Sequence, residues 1–135
     1  MKIKQLALLC LLFGSSLNTW AEQQPYLYEQ LKNPVYQKTF NALFKKQHNL
    51  EPWLKNYLKN RDGVDTPSEN RTVEGKTYEF YQLCEPHNCG GSNLYVFFEQ
   101  GGTHAWALLT KDNSQRFFGN PNSALQQALQ AEIHH

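Results

Sequence analysis

The sequence predicts an α+β domain, an antiparallel meander of about five strands with the N- and C-terminal helices packed on one face. Three observations predict it. Apolar residues recur at three and four positions over 23–58, the period changes to two between 71 and 119, and a second helical stripe closes the chain over 124–133. At 135 residues, 13% of them aromatic, the chain supports one domain with a core built from large rings.

Residues 1–21 read as a cleaved export signal, not as part of that domain. Lys2 and Lys4 form a basic start, residues 6–13 (LALLCLLF) form an apolar run too short to span a bilayer, and Thr19-Trp20-Ala21 offers a cleavage site before Glu22. Cys10 follows Leu9 inside the apolar run, where lipid attachment would want a small residue. Cleavage leaves a single domain over 22–135 in an oxidising compartment, with no membrane attachment. Of 13 basic residues, losing Lys2 and Lys4 leaves 11 against 12 acidic ones, a formal −1 that excludes the basic footprint of a nucleic-acid binder.

The helical part comes first. Tyr26, Leu27 and Leu31, then Val35, Thr39, Ala42 and Leu43, mark one stripe, which Asn33-Pro34 divides into a short helix and a longer one. Asn33 is placed to cap the longer helix with Pro34 in its first turn, and Lys45, Lys46 and His48 are expected in its last turn, where cations suit the dipole. Trp53, Leu54, Tyr57 and Leu58 add a further amphipathic turn or two after Pro52. Residues 60–70 (NRDGVDTPSEN) then read as a surface loop with little to bury.

Strands follow. Residues 71–73 and 76–84 flank the turn pair Glu74-Gly75, with Tyr78 and Phe80 on one face and Tyr81 and Leu83 on the other. Residues 93–99 (NLYVFFE) are apolar on both faces, which predicts a central strand and also fits burial in a homodimer interface. Residues 104–110 and 115–119 complete the meander. Asn120-Pro121 repeats the cap signature ahead of a last helix carrying Ala124, Leu125, Ala128, Leu129 and Ile133 on one side.

The stretch able to carry function is Cys84-Glu85-Pro86-His87-Asn88-Cys89-Gly90-Gly91. Loss of Cys10 with the signal leaves Cys84 and Cys89 as the one pair, and exported proteins with two cysteines usually join them. Pro86 fixes its own φ and pushes Glu85 toward extended geometry, so the ring would hold His87 out in one place. Redox catalysis fits poorly, because four residues separate the cysteines and the first ends a strand. A zinc site from Cys84, His87, Cys89 and His104 fits poorly too, because disulfide-bonded cysteines cannot ligate as thiolates and His104 has no spacing that points to the loop. As a stabilising staple, so small a ring is worth only about 2 kcal/mol, so its main effect is on local shape.

No other constellation competes. Ser92 lacks a nucleophile-elbow pattern, and Glu69, Glu74, Glu79, Glu99 and Asp112 are not spaced as catalytic carboxyl pairs. His134 and His135 read as a frayed tail, and Trp53 and Trp106 stand at core spacing. The sequence implies no catalytic residue, no metal and no cofactor.

An exported chain of this size, with an amphipathic helical start, Pro52-Trp53 after it and a strand ending in Cys-x-Pro-His-x-Cys-Gly, resembles the inhibitor of vertebrate lysozyme (Ivy) family of Gram-negative periplasmic proteins. The resemblance is densest over 77–96. It implies a periplasmic, non-enzymatic inhibitor of C-type lysozyme whose loop, closed by Cys84 and Cys89, carries His87 into the active-site cleft. Glu85, Pro86, His87 and Asn88 would be the lysozyme-binding residues, with Gly90 and Gly91 as the loop hinge. The family loop has a basic residue where Glu85 stands and an acid where Asn88 stands, so both positions depart from it. The alternative is a binding module that controls endogenous lytic transglycosylases, and a thiol or metal enzyme is the remaining reading.

Overall fold

The computed structural model describes residues 24–135, so the export signal read over 1–21 lies outside them. Three helices open the fold, α1 (Leu27–Gln30), α2 (Pro34–Phe44) and α3 (Pro52–Asn60). Asn33 caps α2 as expected, its Oδ1 accepting from the Val35 N–H at 2.9 Å with Pro34 in the first turn. The buried stripe of α2 is Tyr36, Phe40, Leu43 and Phe44, whereas Val35 and Ala42 are exposed. Both stripes keep helical spacing and share Leu43; the three rings win because burying them removes far more apolar surface from water. Because α2 ends at Phe44, Lys45 caps it and Lys46 and His48 lie beyond its last turn.

Six antiparallel strands form one sheet, β1 (Val64–Asp65), β2 (Glu69–Val73), β3 (Lys76–Cys84), β4 (Ser92–Glu99), β5 (Ala105–Lys111) and β6 (Ser114–Phe118). Both β1 and β2 pair with β3, β1 against Leu83 and Cys84 and β2 against residues 76–80. The two-residue β1 sits inside the stretch 60–70, which is therefore not all loop. Asp65 anchors it by accepting from the Tyr28 N–H and the Tyr57 hydroxyl, both at 3.2 Å, and its burial raises its carboxyl pKa above the usual range. Between β2 and β3, Glu74 (φ 49°) and Gly75 (φ 77°) are both left-handed, the geometry of a type I′ hairpin. Strand β4 is central as predicted, and its residues 92–98 are buried within this one chain.

The helices do not share one face. Tyr81, Leu83, Leu94, Val96, Phe98, Ala107 and Leu109 pack against α1, α2 and α3. Their neighbours Tyr78, Phe80, Tyr95, Phe97 and Leu108 point the other way and pack against Leu125 and Leu129 of the last helix, α4 (Ser123–Ala131). The physical reason is in the strands themselves: apolar side chains at consecutive positions put half their area on each face, and one helical layer covers only one of them. The cap of α4 is also two residues later than expected. Asn122 Oδ1 accepts from the Leu125 N–H at 2.9 Å, while Asn120 is left-handed (φ 54°) and outside the helix.

Candidate functional site

The loop leaves the sheet where β3 ends and returns at the start of β4. Cys84 and Cys89 are joined, with Cα atoms 4.9 Å apart. Within the ring, the Asn88 N–H donates to the Glu85 carbonyl at 3.0 Å, making a turn with Pro86 and His87 as its central residues. Proline first and a left-handed residue second is the type II pattern, and His87 has φ 65°. A side chain in that region costs roughly 1 kcal/mol, which the surrounding bonds must hold in place. Pro86, His87, Asn88, Cys89 and Gly90 are exposed, Glu85 is half-buried and Cys84 is buried.

Glu85 and Asn88 bond to each other across the turn. Asn88 Nδ2 donates to Glu85 Oε2 at 2.8 Å, so the side chain at 88 is the donor and the one at 85 the acceptor. Gly91 is required by this pair, because a Cβ there would meet Asn88 Oδ1 at 2.6 Å and Nδ2 at 3.0 Å. Gly91→Ala should therefore push the Asn88 amide aside and break its bond to Glu85. We expect a stability cost under about 1 kcal/mol, measured by thermal melting.

The loop is also held from outside. The Glu85 N–H donates to the Ser92 carbonyl at 3.0 Å, and the Gly91 and Ser92 N–H groups both donate to the Asn88 carbonyl at 3.0 Å. Trp53 of α3 donates from Nε1 to the buried Ser92 Oγ at 2.9 Å, which gives Pro52-Trp53 a structural reason to accompany the loop. From the β5–β6 turn, the Asp112 N–H donates to the Gly91 carbonyl at 2.8 Å. Asn93 Nδ2 donates to the Cys89 carbonyl at 2.8 Å, and Gln82 Nε2 donates to Asn93 Oδ1 at 3.1 Å. Lys111 binds Glu51 at 2.7 Å, and that carboxylate, reinforced by Glu85 and Asp112, holds its ammonium pKa above the ordinary lysine range. Glu85 thus has a cation within electrostatic reach.

The sequence does not mark these contacts as supports of the loop, although it draws attention to Trp53, Gly91, Ser92 and Asp112 on other grounds. An Asn or Ser just after a loop has no periodic signature, so only the pairing register could reveal Asn93 and Ser92. The other candidates lie apart. His104 is at the opposite end of the sheet, 3.2 Å from Glu99 and stacked near Trp106. Among the described residues no three of His, Cys, Asp and Glu converge as a metal site, and none of the helices is long and apolar enough to cross a membrane. A groove of about 900 Å³ beside α2, lined by Val35, Ala42 and His104, also lies at the end away from the loop.

Comparison with known proteins finds one matching family and several relatives. The family described as Inhibitor of vertebrate lysozyme (Ivy) matches residues 35–134, from α2 to the end of the last helical turn. The Inhibitor of vertebrate lysozyme of Pseudomonas aeruginosa is 28% identical over 140 residues, spanning 90% of this chain and 88% of that protein. An uncharacterized protein of Yersinia pestis is 30% identical over 122 residues, spanning 81% and 77%. A second P. aeruginosa protein, also uncharacterized, is 27% identical over 111 residues, spanning 73% and 69%. With the family match covering the loop, the whole sheet and helices on both of its faces, this chain belongs to the inhibitor of vertebrate lysozyme family.

Proposed function

We propose that this protein is a periplasmic, non-enzymatic inhibitor of C-type lysozyme that inserts the Cys84–Cys89 loop into the active-site cleft, with His87 against the catalytic carboxyl groups. Membership of the family and the name of the P. aeruginosa relative support the lysozyme partner. The observation that carries the reading is the exposed His87, held left-handed at the tip of a disulfide-closed turn. Lysozymes cleave glycosidic bonds between a protonated carboxyl group and an ionised one. An imidazole between them donates one hydrogen bond when neutral and two when protonated, and bonds to an ionised acceptor are the stronger kind. A turn already fixed in shape loses little entropy on insertion, so more of that contact energy appears as affinity. Gly90, with open space around its α-carbon, is where the loop adjusts to the cleft.

The test is a lysis assay of cell walls by C-type lysozyme, titrated with the mature protein up to micromolar excess, with a lytic transglycosylase as a parallel target. Undiminished lysozyme activity throughout would sink the reading, and suppression of the transglycosylase alone would move it to that partner. Reduction of the Cys84–Cys89 bond separates presentation from stapling. We expect inhibition to weaken at least about tenfold while the melting temperature falls by less than about 10 °C. Unchanged inhibition with a lowered melting temperature would make the disulfide a staple.

A further inference from the structure

Building on the inhibitory reading of the loop, we propose that Asn93 is its positioning residue. Asn93 stands directly opposite Cys84 in the β3–β4 pairing and is only 7% exposed. Its amide nitrogen donates to the Cys89 carbonyl at 2.8 Å while its amide oxygen accepts from Gln82 Nε2 at 3.1 Å. The two limbs of the ring therefore meet at one residue. Cys84 faces it at a non-hydrogen-bonded position of the ladder, kept there by the adjoining bond from the Glu85 N–H to the Ser92 carbonyl, and the Asn93 side chain holds Cys89.

The chemistry demands an amide of this length. Asparagine offers a donor and an acceptor at one branch point, and Gln82 uses the acceptor, which fixes the nitrogen toward Cys89. Aspartate would set an oxygen against the carbonyl oxygen, and alanine would leave the carbonyl without this donor. Packing does not substitute for the bond, because the Cys89, Gly90 and Gly91 limb borders an open recess of about 470 Å³ lined mainly by polar groups, among them Tyr95, Thr110 and Gln115. Freed from Asn93, the limb has room to move into that space, taking Asn88 and the His87 turn with it. Trp53 and Asp112 act further along, on Ser92 and Gly91, and do not hold Cys89 itself.

Two readouts test this on the mature chain, with Asn93→Asp as the main variant. The first is the inhibition constant of the oxidised protein against C-type lysozyme, expected to rise about tenfold, as for one lost bond to a half-enclosed acceptor. The second is the glutathione equilibrium, in which the Cys84 and Cys89 thiols plus one glutathione disulfide give the protein disulfide plus two glutathione thiols. If Asn93 holds Cys89 facing Cys84, this equilibrium shifts about tenfold toward the dithiol in the variant, an effect that a general loss of stability would not produce. Gln82→Met, which leaves the Asn93 nitrogen in place but unoriented, should show both shifts at reduced size and serves if Asn93→Asp does not fold.

A lower melting temperature with both readouts unchanged would overturn the proposal. Should the wild-type protein fail to inhibit at all, the loop reading falls separately, and the glutathione equilibrium decides the role of Asn93 by itself.

Discussion

Replacing His87 with glycine should abolish inhibition of C-type lysozyme while leaving the protein at least as stable as before. The two effects separate because His87 is exposed and makes no side-chain hydrogen bond among the described residues, yet its backbone lies at φ 65°, where glycine is at ease. Relief of left-handed strain offsets the extra freedom that glycine gives the unfolded chain, so the melting temperature should hold or rise by a few degrees. Inhibition should fall at least 100-fold, the loss of a central contact worth roughly 3 kcal/mol. His87→Ala is the companion variant: it loses the imidazole and keeps the strain, so it should lose inhibition equally and melt no higher than wild type. Full inhibition by the glycine variant would show that the turn, and not the imidazole, makes the contact.

The second large effect concerns stability and leaves the loop alone. Glu132, only 6% exposed, follows α4 and is held by Arg71 of β2, with Nε to Oε1 at 2.6 Å and Nη2 to Oε2 at 3.3 Å. The same guanidinium lies 4.7 Å over the Phe80 ring. Arg71→Ala would leave a buried carboxylate without its counter-charge and strip the ring of its cover, at a cost of about 3 kcal/mol. We expect a drop in melting temperature of roughly 10 °C, measured by calorimetry. Inhibition at low temperature should persist, because β2 pairs with the half of β3 remote from Cys84. Glu132→Gln should cost less, since it removes the charge along with the pairing. An unchanged melting temperature in Arg71→Ala would mean that apolar packing alone holds the C-terminal helix.

Much of this architecture was legible in the residues, and the exceptions have definite causes. Central placement of β4 follows from apolar side chains on both its faces, and the Glu74-Gly75 hairpin follows from two residues that tolerate positive φ. The side on which α4 packs was not legible, because an amphipathic stripe says that a helix is covered and not by which face of the sheet. The buried stripe of α2 was ambiguous for a similar reason: Val35, Thr39 and Ala42 keep the same period as Tyr36, Phe40 and Phe44, and only the area to be buried separates them. Strand β1 has no signature in the sequence because two residues are too few for a period, and what fixes them is the contact of Asp65 with Tyr57 and Tyr28. At the candidate site the ring, Pro86 and His87 could be read directly. Asn93, Ser92 and the bond between Glu85 and Asn88 depend on which residues face one another across β3 and β4, which spacing along the chain does not encode.

The division of the helices between two faces also bears on when the chain can fold. Rings such as Tyr95 and Phe97 share their cluster with Leu125 and Leu129, so their face of the sheet is not fully covered until α4 is in place. A chain whose α4 has not docked has that face of its sheet open to water and its Arg71 without Glu132, so the cooperative fold cannot close before α4 is in place. In this protein α4 acts as the latch on folding.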